Sequence, residues 1–255
     1  MRVAVLQFRA KKGQPEASRE ALGRLIATAG DGGAQLIVCP EMAVTGYLFP
    51  DANAAAKVAE PASGDGLSFL GELAVRHGAY LICGYPELTL PDKDGGEPAL
   101  YNAARVIGPD GRLLYNYRKR LLYDSDFTWA APGDTPYPLL AVGDYVPPRR
   151  LTAGICMDLN DDRFTAFLRR TGPELVAFCT NWLDEGVDIL PYWQYRLLGT
   201  RGYFLAANTY GVEEAPGHPR TRFCGGSAIL GPSGRVLGRA PPEGDAVVLA
   251  DLQDL

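Results

Sequence analysis

The sequence predicts an α/β fold of four layers, an αββα sandwich in which two mixed β-sheets lie between helices. Three observations predict it. Short apolar runs alternate with segments of helical period along the whole chain. No linker-like or low-complexity stretch interrupts them, so residues 1–255 read as one domain. Residues 104–114 and 227–237 echo each other: Ile107-Gly108-Pro109-Asp110-Gly111-Arg112 is matched by Leu230-Gly231-Pro232-Ser233-Gly234-Arg235. Each copy reads as strand, tight Pro-x-Gly turn and returning strand, which places a β-hairpin in each half and suggests two sheets in a pseudo-symmetric relation.

The elements follow in order. Residues 3–8 read as a strand, and 15–29 as a helix with Leu22, Leu25 and Ile26 on one face and Gly30, Gly32 and Gly33 closing it. A short buried strand at 36–39 is followed by a helix at 67–77 carrying Phe69, Leu70 and Leu73, then a strand at 80–85. The second half has strand candidates at 151–156, 175–179, 203–207, 227–230 and 246–250, with helices at 162–170 and 189–201.

Composition excludes several functions. The 255 residues are 47% hydrophobic and 22% charged with a net charge of −5, which argues against a general affinity for nucleic acid or anionic membrane. The sequence has two histidines, so multi-histidine metal sites cannot be assembled. His77 precedes a glycine at a helix end and His218 sits in a Pro-Gly turn, settings that read as structural. Five cysteines without CxxC spacing fit neither a disulfide framework nor a zinc ribbon. No GxGxxG follows the first strand, and neither GxxxxGK[ST] nor Gly-x-Ser-x-Gly occurs, so no nucleotide cofactor is expected. The apolar N-terminal run is too short for a signal peptide and no stretch has the length of a membrane span, so a reducing, cytoplasmic location is the expectation.

Three strand ends carry unusual residues. Leu36-Ile37-Val38-Cys39 runs into Pro40-Glu41. Glu41 reads either as a solvated loop carboxylate or, if held in apolar surroundings beyond the strand, as a group whose raised pKa lets it exchange protons near neutrality. Tyr115-Asn116-Tyr117-Arg118-Lys119-Arg120 ends another strand. If Tyr115 and Tyr117 share a face, Lys119 continues it into a pocket while Arg118 points the other way; the alternative is a solvated basic edge. Gly154-Ile155-Cys156-Met157-Asp158 ends a third strand on a cysteine, which reads as a small core residue or as a sulfur presented at a helix entrance, where thiolate is stabilised.

In this order the segments Pro40-Glu41 through Gly46-Tyr47, Tyr117-Arg118-Lys119 through Leu121, and Gly154-Ile155-Cys156-Met157-Asp158 resemble the nitrilase superfamily of carbon-nitrogen hydrolases. The resemblance spans essentially the whole chain, including Asn102, Pro132-Gly133-Asp134, Asn181-Trp182, Asn208 and Gly225-Gly226-Ser227. Cys156-Met157-Asp158-Leu159-Asn160 and the stretch from Leu122 to Trp129 look most like the branch containing protein N-terminal amidases.

The resemblance implies a Glu-Lys-Cys triad, with Cys156 as nucleophile, Glu41 as general base and later acid, and Lys119 as oxyanion stabiliser, assisted by the Met157 backbone N–H. Asp126 stands where many members carry a second glutamate, or is an ordinary loop acid. Tyr47, Trp129, Asn181, Trp182 and Tyr210 are expected at the pocket rim. The implied reaction is hydrolysis of a small-molecule non-peptide amide through a cysteine thioester, with neither metal nor cofactor, in a homodimer or higher homo-oligomer. An N-carbamoyl amine hydrolase, a nitrilase, an acyl-transferring amide synthase and a non-catalytic binding module on the same fold stay open as alternatives.

Overall fold

The computed structural model describes residues 1–90, 97–143 and 147–253. In the first half, β1 (Arg2–Gln7), α1 (Pro15–Asp31), β2 (Leu36–Val38), α2 (Ala52–Ala56), α3 (Asp65–His77), β3 (Tyr80–Thr89), β4 (Ala99–Ile107) and β5 (Leu113–Arg118) follow in order. The second half runs β6 (Leu140–Val142), β7 (Arg149–Ile155), α4 (Asp162–Thr171), β8 (Leu175–Thr180), α5 (Leu190–Arg196), β9 (Tyr203–Asn208), β10 (Tyr210–Glu213), β11 (Thr221–Cys224), β12 (Ala228–Leu230), β13 (Val236–Arg239) and β14 (Ala246–Asp251).

Two six-stranded mixed sheets result, ordered β14-β1-β2-β3-β4-β5 and β13-β12-β9-β8-β7-β6, as expected for the sandwich. Each has one antiparallel edge strand, three parallel strands (β1, β2, β3 and β7, β8, β9) and a terminal hairpin. The echoed segments are those hairpins, β4–β5 and β12–β13, in matching places. They share their turn bonds: Gly108 N–H to Arg112 O and Gly111 N–H to Gly108 O in one, Gly231 N–H to Arg235 O and Gly234 N–H to Gly231 O in the other. Both also shift register at the equivalent residue pair, Val106/Ile107 and Ile229/Leu230.

Alternation along the strands builds the layers. Val3, Val5, Leu36 and Val38 face the second sheet and pack in one core with Leu151, Ala153 and Ile155. Ala4, Leu6 and Ile37 face outward to Leu22 and Ile26 of α1 and Leu70 and Leu73 of α3. Phe164 and Leu168 of α4 and Trp193 of α5 cover the other sheet, and Gly154 lets the Phe164 ring lie directly on β7, where a Cβ would come within 2.6 Å of it. The helices obey local rules: Pro15 opens α1, and Gly78 and Gly172 close α3 and α4 in the left-handed conformation. α5 stops at Arg196, short of the expected 201, because the chain turns at Leu198–Thr200 around Gly199, at φ 80°.

His77 packs its ring against Gly30 at the end of α3, and His218 Nε2 meets the Phe49 carbonyl at 2.8 Å, so both have structural surroundings. No helix among the described residues is long and apolar enough to cross a membrane.

Candidate active site

The carboxyl ends of the central parallel strands of both sheets face one region, where ligands of α/β sheets commonly bind. Glu41 lies three residues beyond β2. The chain turns there because Gly84 of β3 lets it come close: a Cβ on Gly84 would lie 2.5 Å from the Glu41 Cα, and Gly84 N–H donates to the Pro40 carbonyl at 3.1 Å. Met42 follows at φ 49°, a left-handed conformation that only a well-determined loop imposes on a side-chain-bearing residue. Glu41 is 1% exposed, so the solvated-loop reading does not hold.

Lys119 directly follows β5 and is held at both backbone ends, its N–H donating to Asn102 O at 2.8 Å and its carbonyl accepting from Gly133 N–H at 2.7 Å. Strand alternation acts as expected: Tyr117 and Lys119 are fully buried, while Arg118 turns away to Glu87 and Asp134. The Lys119 ammonium donates to Glu41 Oε1 at 2.9 Å and to Asp126 Oδ2 at 2.7 Å. Asp126 is fixed from a 3₁₀ turn (Asp124–Thr128) by the Tyr123 N–H at 2.9 Å, so the shorter side chain does reach the lysine. Asn102 spans both acids, its Nδ2 donating to Glu41 Oε1 at 2.6 Å and Asp126 Oδ1 at 3.2 Å. The second sheet closes the cluster, with Asn181 N–H donating to Glu41 Oε2 at 2.8 Å.

Cys156 opens a 3₁₀ turn (Cys156–Asn160) directly after β7, at φ 42°. Met42 and Cys156 are the only non-glycine residues at positive φ among the described residues, and they mark the two chain segments meeting here. Asp158 ties the segments of Cys156 and Lys119 together. Its Oδ2 accepts from Ile155 N–H at 2.9 Å and from the Tyr117 hydroxyl at 2.8 Å; its Oδ1 accepts from the Arg120 and Leu121 N–H groups at 3.1 Å each.

Burial dominates the electrostatics. It pushes the Glu41 carboxyl above the usual carboxylate range, with Lys119 opposing and Asp126 adding to the rise. Burial works against the Lys119 charge, but Asp126 and Glu41 outweigh it and hold the ammonium well above its ordinary range. The Cys156 thiol is pushed up to about 12, by burial first and then by the Glu41 charge. The expected helix-entrance stabilisation of thiolate therefore does not prevail: one 3₁₀ turn offers little dipole against full burial and a neighbouring carboxylate. A resting thiol beside a carboxylate of raised pKa is an arrangement in which sulfur attacks as its proton leaves to that carboxylate.

Cys156 and Met157 line a cavity of about 350 Å³ together with Tyr47, Asn181 and Trp182, three of the residues named for the pocket rim from sequence. Two expected rim residues lie elsewhere. Trp129 does not line the cavity: it is 5% exposed and stacks edge-on against Phe49 at 5.2 Å in an apolar cluster with Leu48, Ala55 and Phe223. Tyr210 starts β10, which departs from the sheet to pair with β11; its hydroxyl donates to Asp245 Oδ1 at 3.0 Å, and it lines a different cavity with Arg9 and Glu213. Sequence reading missed Tyr123, Asn160, Glu185, Val187, Asp188, Ile189 and Tyr192 on the cavity wall. The available signal was continuity: most of them continue the loop after Asn181-Trp182 into α5. Among the described residues no group of three or more His, Cys, Asp or Glu is arranged to hold a metal ion.

Residues 2–255 match the family described as Carbon-nitrogen hydrolase. The omega-amidase NIT2 of Bos taurus is 30% identical to this chain, over 98% of it and 88% of the relative's length. The protein N-terminal amidase of Saccharomyces cerevisiae is 29% identical over 61% of this chain and 35% of its own. A mutant of the amidase from Nesterenkonia sp. AN1, solved with acrylamide added at its active-site cysteine, superposes with a TM-score of 0.81 at 25% identity, covering 99% of this chain and 93% of that one. Matched in family from Arg2 to Leu255 and sharing its two-sheet sandwich with a solved amidase, the chain belongs to the carbon-nitrogen hydrolase family and is an amidohydrolase of the nitrilase superfamily.

Proposed function

We propose that the protein hydrolyses a small carboxamide through a thioester on Cys156, with Glu41 moving the protons and Lys119 supplying the fixed positive charge. One observation carries the reading: a fully buried Glu41–Lys119 pair at 2.9 Å, bonded from both sheets, adjoins a cavity lined by a cysteine thiol that feels both charges.

In the first half-reaction the Cys156 sulfur bonds to the amide carbon as its proton passes to Glu41. The Lys119 ammonium and the Met157 N–H hold the developing oxyanion; that N–H is second in a 3₁₀ turn and so lacks a partner within it. Collapse breaks the carbon-nitrogen bond, and the amine leaves as ammonia with the proton from Glu41. In the second half-reaction Glu41 takes a proton from water as the water oxygen attacks the thioester carbon. The carboxylic acid departs and Glu41 returns the proton to sulfur, so one water is consumed and one ammonia and one acid are released.

Ammonia release from pentanamide tests the reading. Turnover by the wild type and none by Cys156→Ala, with Cys156→Ala still folded by circular dichroism, is the expected result. Undiminished turnover by Cys156→Ala contradicts it.

A further inference from the structure

The cavity has an asymmetry of charge that bears on the substrate. Its buried end holds Cys156, at 6% exposure, against Met157 and Asn181. Trp182, Val187 and Ile189 add apolar lining that suits a short methylene chain. Of the residues lining the cavity none is lysine, arginine or histidine, whereas two are carboxylates, Glu185 and Asp188. These carboxylates are not equivalent. Both Asp188 oxygens accept from the Arg239 guanidinium, at 2.6 and 2.9 Å, so its charge is balanced in place. Glu185, on the exposed loop between Asp184 and Gly186, forms no ion pair among the described residues.

Other groups near this loop do not offset it. Asp184 accepts the Gly186 N–H at 3.0 Å, Arg222 is engaged by Glu243 at 2.6 Å, and Arg196 by Asp162 at 2.9 Å. Tyr123, which also lines the cavity, has its phenol pushed up by burial first and then by the charges of Asp124 and Glu185. The described lining therefore carries a net negative charge, with one carboxylate, Glu185, outside any ion pair among the described residues.

We infer that this site takes carboxamides whose acyl chain ends in an ammonium group set against Glu185, and discriminates against chains that end in a carboxylate. The inference rests on the amidase reading above and adds the charge of the substrate's far end. Glu185 acts here as a specificity-determining residue. Among the described residues lining the cavity, a chain-terminal carboxylate meets a like charge and no cation, whereas an ammonium supplies a counter-charge to Glu185.

Three amides of matched length test it: 5-aminopentanamide, pentanamide and glutaramate, with kcat/KM measured from ammonia release. An exposed pair of this kind is expected to favour the cationic amide over the neutral one about threefold to fivefold, and the anionic one to fall below the neutral by a similar factor. Raising the salt concentration compresses the series. In Glu185→Gln the ratio of cationic to neutral substrate falls toward one, and in Glu185→Lys the order reverses in favour of glutaramate. Asn-Gly-Gly and its N-acetyl form distinguish a peptide N-terminus from a free amino amide as the source of the ammonium: faster cleavage of the unblocked peptide extends the same preference to peptides, and equal cleavage of both counts against it. Hydrolysis of pentanamide with no charge order, or with glutaramate preferred, overturns the inference and leaves the amidase reading standing. No hydrolysis of any of these amides overturns both.

Discussion

The candidate site has a buried inner end and an exposed outer end, built in opposite ways. At the inner end Glu41, Lys119, Asp126 and Asn102 are 0–1% exposed, and each is held by bonds arriving from separate strands and turns. At the outer end Glu185, Val187 and Tyr192 sit on a loop and a short helix, with Val187 70% exposed and the Tyr192 hydroxyl tied to Asn160. The inner end has no freedom to change without unbalancing buried charge. The outer end can vary at little cost to the fold, so under the proposed reading reaction type belongs to the strand ends and substrate choice to the loop after β8.

The sharpest way to break this contrast is to remove the inner cation. Lys119→Met leaves two buried carboxylates without their partner and is expected to cost about 3–5 kcal/mol of stability as well as the activity. In that variant the Glu41 carboxyl, already raised by burial, loses the lysine that opposes the rise. Protonation of Glu41 at low pH then relieves it, so the deficit relative to wild type is smallest in acid and grows as pH rises through its folded pKa. Urea denaturation at two pH values checks both size and sign. A deficit independent of pH would contradict the charge account.

Asp158→Asn comes next. One amide oxygen replaces two acceptors, leaving two of the four donors from Ile155, Tyr117, Arg120 and Leu121 unsatisfied, at about 1–3 kcal/mol each. Because this residue sets the Cys156 segment against the Lys119 segment, kcat is expected to fall with KM little changed. Stopped-assay kinetics beside a melting curve separate the two effects.

Asp126→Asn has a smaller effect with a distinctive signature. The Asp126 charge helps to raise the Glu41 carboxyl, so removing it moves the acid limb of kcat/KM to lower pH, with a loss of about tenfold or more in rate from the less firmly placed lysine. An acid limb that moves upward would show that Asp126 does not act through Glu41. Smallest is Tyr192→Phe at the rim: losing one exposed hydrogen bond of 2.7 Å to Asn160 is worth about 1 kcal/mol or less, expected in KM rather than kcat.

The inner end was also the more legible one. Strand periodicity pointed Lys119 inward and Arg118 outward, and the apolar runs leading to Glu41 and Cys156 located both at strand ends. The hairpin echo foretold matching places in two sheets because Pro-x-Gly turns are local chemistry. What sequence could not supply was the direction taken by polar side chains across long separations. The bridge of Asn102 to two acids and three of the four donors in the Asp158 clamp depend on contacts 24 to 61 residues apart. Trp129 and Tyr210 went astray for the same reason: each follows a turn whose exit direction is set by packing, against Phe49 in one case and by the β10–β11 pairing in the other. The thiol's raised pKa was likewise beyond reach, since the burial that raises it exists only once the chain has folded around Cys156.

The central claim is that Cys156 carries the acyl group while Glu41 moves the protons. Rapid mixing with pentanamide, acid quenching and peptide mass spectrometry test it most directly. The account predicts a pentanoyl group on the peptide containing Cys156 in the wild type, released by hydroxylamine, and absent in Cys156→Ala and Glu41→Gln. Steady turnover with no acylated Cys156 peptide under any quench time, or an acyl group on another residue, would contradict it.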